Sequence, residues 1–180
     1  MTSSLNLGSP APSIKVQNWL HGNPLSTFQL GNIYVVEFFS TTCGNCGPEL
    51  SDLAKLNKKF TDTGVEFIGI AASEEAATAD DARAQVDASI TKSLPNTNIR
   101  IGSDHSGEMD EDWLKPSLSL VPTVFVVDRD GRIAFIGDPV MLEDVLPKVI
   151  DGSWRASAEA KNAEEERIAK GEARAAQIVS

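Results

Sequence analysis

The most constraining feature of this sequence is a mostly apolar run that leads, across a short turn, into two closely spaced cysteines. Residues 33–39 read IYVVEFF, and a continuous apolar and β-branched run of this kind is typical of a strand buried on both faces of a sheet. Cys43 and Cys46 follow, and leucines then recur at helical spacing. The order strand, C-x-x-C, helix therefore predicts that both thiols lie where a buried strand turns into a helix.

This order gives the two cysteines different chemistry. Cys43 is predicted at the N-terminal edge of the helix, where unsatisfied N–H groups and the helix dipole favour a thiolate. Such positions lower a cysteine pKa from about 8.5 to roughly 3.5–7.5. Cys46 is one helical turn further on, within disulfide reach. We therefore predict that Cys43 is the attacking thiol and that Cys46 resolves the mixed disulfide.

Two alternatives for the cysteine pair have to be weighed. Cys43 and Cys46 are the only cysteines among 180 residues, so no other thiol is available for a structural disulfide framework. A structural zinc site needs four ligands, and His21 and His105 do not have zinc-finger spacing. A pair of inert buried cysteines is disfavoured by the turn and the helix start around them. We expect neither a metal nor a cofactor.

The rest of the chain predicts an α/β protein with a mixed central sheet flanked by helices. From residue 33 onward the predicted order is β-α-β-α-β-α-β-β-α, and an Asp-Gly hairpin turn joins the last two strands. Besides 33–39, strands are predicted at 13–20, 65–71, 98–103, 124–127 and 132–136. Besides the helix after Cys46, helices are predicted at 74–94, 107–118 and 141–150.

We predict two parts for the chain. Residues 1–152 are expected to form one domain, since the composition, with 41% hydrophobic residues, is that of a globular protein. Residues 153–180 are rich in Ala, Glu, Lys and Arg and poor in large apolar residues. They are expected to form a C-terminal helical extension that lies loosely on the domain or frays, and Gly171 weakens it further.

The charge of the chain limits its partners. A net charge of −10 at pH 7 disfavours nucleic acid and anionic lipid. Residues 73–112 hold ten acidic and three basic residues, which indicates either a solvated surface or an acidic patch that selects a basic partner. No segment approaches the roughly eighteen apolar residues of a membrane span. No signal peptide is visible, so we expect a cytoplasmic protein, or an extracytoplasmic one if a signal peptide was removed.

The segment 35–50, VVEFFSTTCGNCGPEL, resembles the active-site segment of the TlpA-like disulfide reductases of the thioredoxin superfamily, which usually read FWATWCGPC there. The resemblance covers roughly residues 7–152 and includes Val-Pro-Thr at 121–123. It implies a thioredoxin-like fold and a thiol–disulfide oxidoreductase. The expected enzyme is a reductase that exchanges disulfides with protein substrates and receives its electrons from an upstream donor. The resemblance also implies a setting often found in cytochrome maturation or envelope thiol maintenance.

The resemblance implies roles for two further residues. Pro122 matches the cis-proline that faces the disulfide, although its local sequence also fits a trans proline at a strand start. Glu37, six residues before Cys43, matches the buried acid of the strand, although a glutamate at a strand edge can also point to water. Asn45 and Thr42 depart from the usual proline and tryptophan, so the resemblance does not imply a particular reduction potential.

Two other functions share some of these features. A peroxidase of the peroxiredoxin type would need Pro at position 36 and Thr at position 40, where Val36 and Ser40 stand. A non-enzymatic thiol adaptor or metallochaperone would hold copper or a partner through the cysteines, and copper usually takes a further His or Met. Peroxide turnover would indicate the first function, and metal that co-purifies stoichiometrically would indicate the second.

Overall fold

A mixed six-stranded sheet forms the centre of the part of the chain that the computed structural model describes, residues 4–16, 18–25, 27–40, 46–72, 76–93 and 99–179. The strands run in the spatial order β1-β4-β3-β2-β5-β6. The central strand β2 pairs in parallel with β3 and antiparallel with β5. The strands are β1 (Asn18–His21), β2 (Ile33–Phe39), β3 (Val65–Ala71), β4 (Arg100–Ser103), β5 (Thr123–Val127) and β6 (Ile133–Gly137).

Helices cover the sheet on one face, and the chain before β2 together with a short helical segment covers the other. The helices are α1 (Cys46–Lys59), α2 (Ala79–Ser93), α3 (Leu142–Ile150) and α4 (Ala158–Val179), and the short segment includes a π-helical turn at Asp110–Leu114. In the described part of the chain, no helix is both long and apolar enough to cross a membrane.

The predicted strands 33–39 and 65–71 have the bounds that the sequence predicted, because both are continuous apolar runs in the middle of the sheet. All seven residues of β2 are buried. The weakly alternating segment 13–20 forms a strand only at its end, in β1. The mixed sheet flanked by helices is therefore confirmed, and the differences lie at the ends of polar elements, where the pattern is weakest.

The two faces of β2 contribute to different apolar clusters. Val35 and Phe39 pack toward the helices, with Leu53 of α1 and Leu146 of α3 in the same cluster. The side chains at alternate positions pack toward the other face, where Trp113 is fully buried. Because side chains alternate along a strand, the position of any β2 residue assigns it to one of these clusters.

The expectation that the C-terminal helix lies loosely or frays is wrong. The Arg167 Nε donates to the Glu164 Oε1 at 2.6 Å, and both side chains are only 13% exposed. The Arg167 Nη1 also donates to the Ser117 carbonyl, and the Leu7 amide donates to the Glu164 carboxylate. Because this ion pair also bonds to two separate parts of the domain, at Leu7 and at Ser117, α4 is docked on the domain.

Arg155 ties the segment before α4 to the hairpin between β5 and β6. Its Nη1 lies 2.8 Å from the Asp130 Oδ2 and 3.4 Å from the Asp128 Oδ2. Partial burial would raise the pKa of Asp130, but the hydrogen bonds from Arg155 and from the Arg132 amide outweigh it and hold that pKa below its usual range.

The indole of Trp154 joins this segment to the sheet. Trp154 is 2% exposed, and its Nε1 donates to the Ala134 carbonyl at 2.8 Å. β6 is an edge strand, so carbonyls on its outer side need donors from elsewhere.

Trp154→Phe is expected to lower the free energy of unfolding by about 1–3 kcal/mol, because a buried carbonyl loses its donor. Urea unfolding followed by far-UV circular dichroism measures the loss. Trp19→Phe is the matched control, since Trp19 is only partly buried, and its loss should be smaller. An equal loss in the two variants would contradict the role of the indole hydrogen bond.

Candidate redox site

The end of β2 and the start of α1 bracket the predicted cysteine pair. β2 ends at Phe39, and the next residue, Ser40, is buried. Cys43 lies outside the described residues. Cys46 is the first described residue of α1. The described backbone therefore has the predicted order, with a buried strand before the pair and a helix that contains its second cysteine.

Glu37 is fully buried, at 0% exposure, so the alternative of a glutamate pointing to water is wrong. In the sheet it lies opposite Gly69 of β3 and Val124 of β5. It is two residues from Val35 and from Phe39, so its side chain is on the same face of the strand as theirs, which pack toward the helices. The carboxyl group is therefore on the face that α1 covers, in the middle of the sheet.

Gly69 is a feature of this site that the sequence interpretation missed. A Cβ at this position would lie 2.9 Å from the Ile101 Cδ1 and 3.2 Å from the Phe39 Cε1. The two side chains therefore occupy the space beside Glu37 that a larger residue at 69 would take. An isolated glycine within an apolar strand is a sequence signal for such a close approach.

The Val121–Pro122 peptide bond is cis. Pro122 comes directly before β5, whose first residue, Thr123, lies opposite Phe38 of β2. Pro122 is therefore at the edge of the sheet from which β2 continues toward the cysteines. Glu37 lies opposite Val124, two residues after Pro122. In the register of the sheet, Glu37 of β2 and Pro122, just before β5, are therefore two positions apart.

A groove of about 320 Å³ opens beside Pro122. Leu120 and Met141, which line it, are 63% and 38% exposed. Helix α4 forms a further wall through residues that include Lys170 and Arg174. The sequence interpretation did not find this groove, because its lining comes from segments that are far apart in the chain. Among the described residues, no three His, Cys, Asp or Glu side chains are grouped to hold a metal ion.

Comparison with known proteins decides the family. The Redoxin family matches residues 6–150, which includes β2, α1 and Pro122. The chain belongs to the Redoxin family. It is a thiol–disulfide oxidoreductase of the thioredoxin superfamily, as the sequence predicted.

Two relatives of this Redoxin-family chain are of interest. Over 158 residues it is 85% identical to the protein FixW of Rhizobium leguminosarum. This match covers 87% of this chain and 72% of that protein. Over 146 residues it is 28% identical to the thiol:disulfide interchange protein HelX of Rhodobacter capsulatus, with 80% and 74% covered.

Solved structures share the fold at low sequence identity. A thiol:disulfide interchange protein DsbE from Chlorobium tepidum superimposes with a TM-score of 0.62 at 17% identity, over 82% of this chain and 99% of that one. A thiol-disulfide isomerase from Corynebacterium glutamicum gives 0.62 at 21% identity, over 78% and 96%. The predicted thioredoxin-like fold is therefore confirmed, together with its C-terminal helix.

Proposed function

We propose that this Redoxin-family protein reduces disulfides of protein substrates through Cys43 and Cys46, in the manner of the TlpA-like proteins. The main support is that Cys46 is part of α1, the helix that follows the fully buried strand β2 along the chain. Glu37 serves as the base for the pair, and Pro122 faces the sulfurs. In this proposal residues 1–152 carry the chemistry, and residues 153–180 assist it through the docked helix.

The exchange has two steps. The Cys43 thiolate attacks one sulfur of the substrate disulfide, so that the substrate S–S bond breaks, a mixed disulfide forms and one substrate thiolate leaves. The thiolate of Cys46 then attacks the Cys43 sulfur and releases the second substrate thiolate. The substrate has gained two electrons, and the protein carries a Cys43–Cys46 disulfide. A dithiol donor protein must reduce that disulfide before the next turnover.

The direction of exchange depends on the reduction potential of the pair. A value near the roughly −270 mV of thioredoxin favours a reductase, and one near the roughly −120 mV of the strongest periplasmic oxidants favours an oxidase. Equilibration of the pair with defined glutathione ratios measures this potential. A strongly oxidising value would overturn the proposed direction and leave the exchange chemistry in place.

We expect brief alkylation of the reduced protein at mildly acidic pH to label Cys43 and to spare Cys46. The reason is that the start of a helix stabilises a thiolate, which is the reactive form. Mass spectrometry of the digested protein measures the two sites separately.

The control for this labelling is the same reaction in denaturant, where the helix is absent and both thiols should react slowly and alike. Preferential labelling of Cys46 in the folded protein would reverse the proposed roles.

A basic partner for the acidic region 73–112 belongs to the same proposal. Asp80, Asp81 and Asp87 of α2 are exposed, which supports a contact surface on that helix. Asp112, at the other end of the region, is 3.4 Å from the Lys15 Nζ. The three aspartates of α2 are therefore the proposed contact for a partner, and Glu108 and Glu111 of the same region are exposed as well.

A further inference from the structure

Helix α4 forms one wall of the groove beside Pro122, and this wall carries charged side chains. The groove is apolar on the side of the sheet and the loops, where Leu120, Pro122 and Met141 line it. Leu120 is the most exposed of these, at 63%. Lys170 and Arg174, one turn apart on α4, lie along the opposite wall. The groove thus offers an apolar surface and two cations within the same space.

Close contacts fix this wall relative to Pro122. The Arg174 Nη2 donates to the Leu118 carbonyl at 2.7 Å. A Cβ at Gly171 would lie 2.7 Å from the Leu118 Cβ and 3.1 Å from the Leu118 carbonyl oxygen, so the helix backbone packs directly on the loop. Because that loop continues into Pro122, the cations are held at a set position beside the redox site.

The α4 wall carries an excess of one positive charge although the whole chain has a net charge of −10. Glu166 is the one carboxylate on the α4 wall, against the two cations Lys170 and Arg174. The third cation of the lining, Arg167, is paired with Glu164. Asp138, whose carboxylate accepts a hydrogen bond from the Val140 amide at 3.0 Å, is the second carboxylate of the lining. The attraction for an anion is therefore local to Lys170 and Arg174 on the α4 wall.

We propose that this groove binds the segment of the substrate protein that flanks its reactive cysteine, and that α4 selects segments carrying both a large apolar side chain and a carboxylate. The apolar side chain packs on Leu120 and Met141, and the carboxylate lies near Lys170. This inference rests on the proposed function, since it assigns a substrate class to the same site. It gives α4 the role of a specificity element.

The test uses three peptides that share one intramolecular disulfide and one leucine and that carry Glu, Gln or Lys beside the cysteine. The rate at which each peptide oxidises the reduced full-length protein is measured. We expect the order Glu, Gln, Lys, with about a three- to tenfold span, as for an exposed ion pair and its reversal. Lys170→Glu should reverse that order, and raising the salt concentration should compress it.

Two further variants make the result specific. Lys161→Glu is the matched control, because Lys161 is an exposed lysine of α4 that does not line the groove, and it should keep the wild-type order. Leu120→Ser should slow all three peptides and leave their order unchanged. A wild-type protein without a charge preference, or a Lys170→Glu variant that keeps the wild-type order, would overturn the proposal.

Reduction of the oxidised protein by dithiothreitol, a small uncharged dithiol, separates this proposal from the one on which it rests. Its rate is measured for the wild type and should be the same in Lys161→Glu. Normal reduction by dithiothreitol without discrimination among the peptides would overturn only the role of α4. No reaction with dithiothreitol would overturn the exchange chemistry of the cysteine pair, and the groove proposal with it.

Discussion

Cys46→Ser is expected to leave the first attack on a substrate disulfide intact and to trap the protein on its substrate. Cys43 still forms the mixed disulfide, but the thiol that would break this bond from within is gone. We expect release of the substrate to slow by about 10³-fold or more, because the lost group is the nucleophile of that step. Non-reducing electrophoresis after incubation with an oxidised protein substrate measures the adduct.

Cys43→Ser is the matched control, since it makes the same change of sulfur to oxygen three positions earlier. It should form no adduct, because Cys46 is the resolving thiol in the proposed order. Both variants should unfold at the same urea concentration as the reduced wild-type protein. Equal adduct formation by the two variants would contradict the separate roles of the cysteines.

The sequence was sufficient for the elements that form the centre of the sheet. β2 and β3 are continuous apolar runs, and such runs leave few alternatives for where a buried strand begins and ends. The burial of Glu37 follows from the same run, since its neighbours on both sides are apolar. The local pattern was insufficient for Pro122, where both isomers fit and only the resemblance to a family favoured the cis form.

The docking of α4 could not be predicted, because its partners are far away in the sequence. Glu164 and Arg167 have the pattern of a solvated helix face, and only the fold brings Leu7 and Ser117 to them. Gly171 is the clearest case. In the sequence it weakens a helix, and in the structure it permits the close packing of α4 on Leu118. Gly171 has a low helix propensity, but its tertiary contact with Leu118 favours glycine at this position.

The groove follows from the same long-range packing. Leu120, Met141 and Lys170 belong to a loop, a short turn before α3, and α4, and no local pattern connects them. The family resemblance ends near residue 152, before the helix that supplies the cations. A specificity element of this kind is therefore found only when the C-terminal helix is placed on the domain.

Glu37→Gln is expected to slow the resolving step by about 10–10³-fold while the first attack by Cys43 stays nearly unchanged. In the proposed arrangement Cys43 lies at the helix terminus and gains more from it than Cys46 does, so Cys46 depends more on a base to become a thiolate. Glu37 is suited to this role because it is fully buried, lies on the face that α1 covers, and sits opposite Val124, two residues after Pro122. Burial disfavours the charged form of a carboxyl group, so a proton taken up from Cys46 is favoured on Glu37.

Stopped-flow measurement of the two steps across pH distinguishes this role from a structural one. Glutamine keeps the shape of the side chain and removes the base, so the pH dependence that Glu37 gives the resolving step should disappear in the variant. The free energy of unfolding should stay level or rise, since a buried ionisable group is gone. Glu66→Gln is the matched control: Glu66 lies on the neighbouring strand, its side chain is 37% exposed and it pairs with Arg100 at 2.9 Å. That variant should change neither step. An unchanged resolving rate in Glu37→Gln, or a loss confined to the first attack, would show that the carboxyl group of Glu37 serves the fold rather than the exchange.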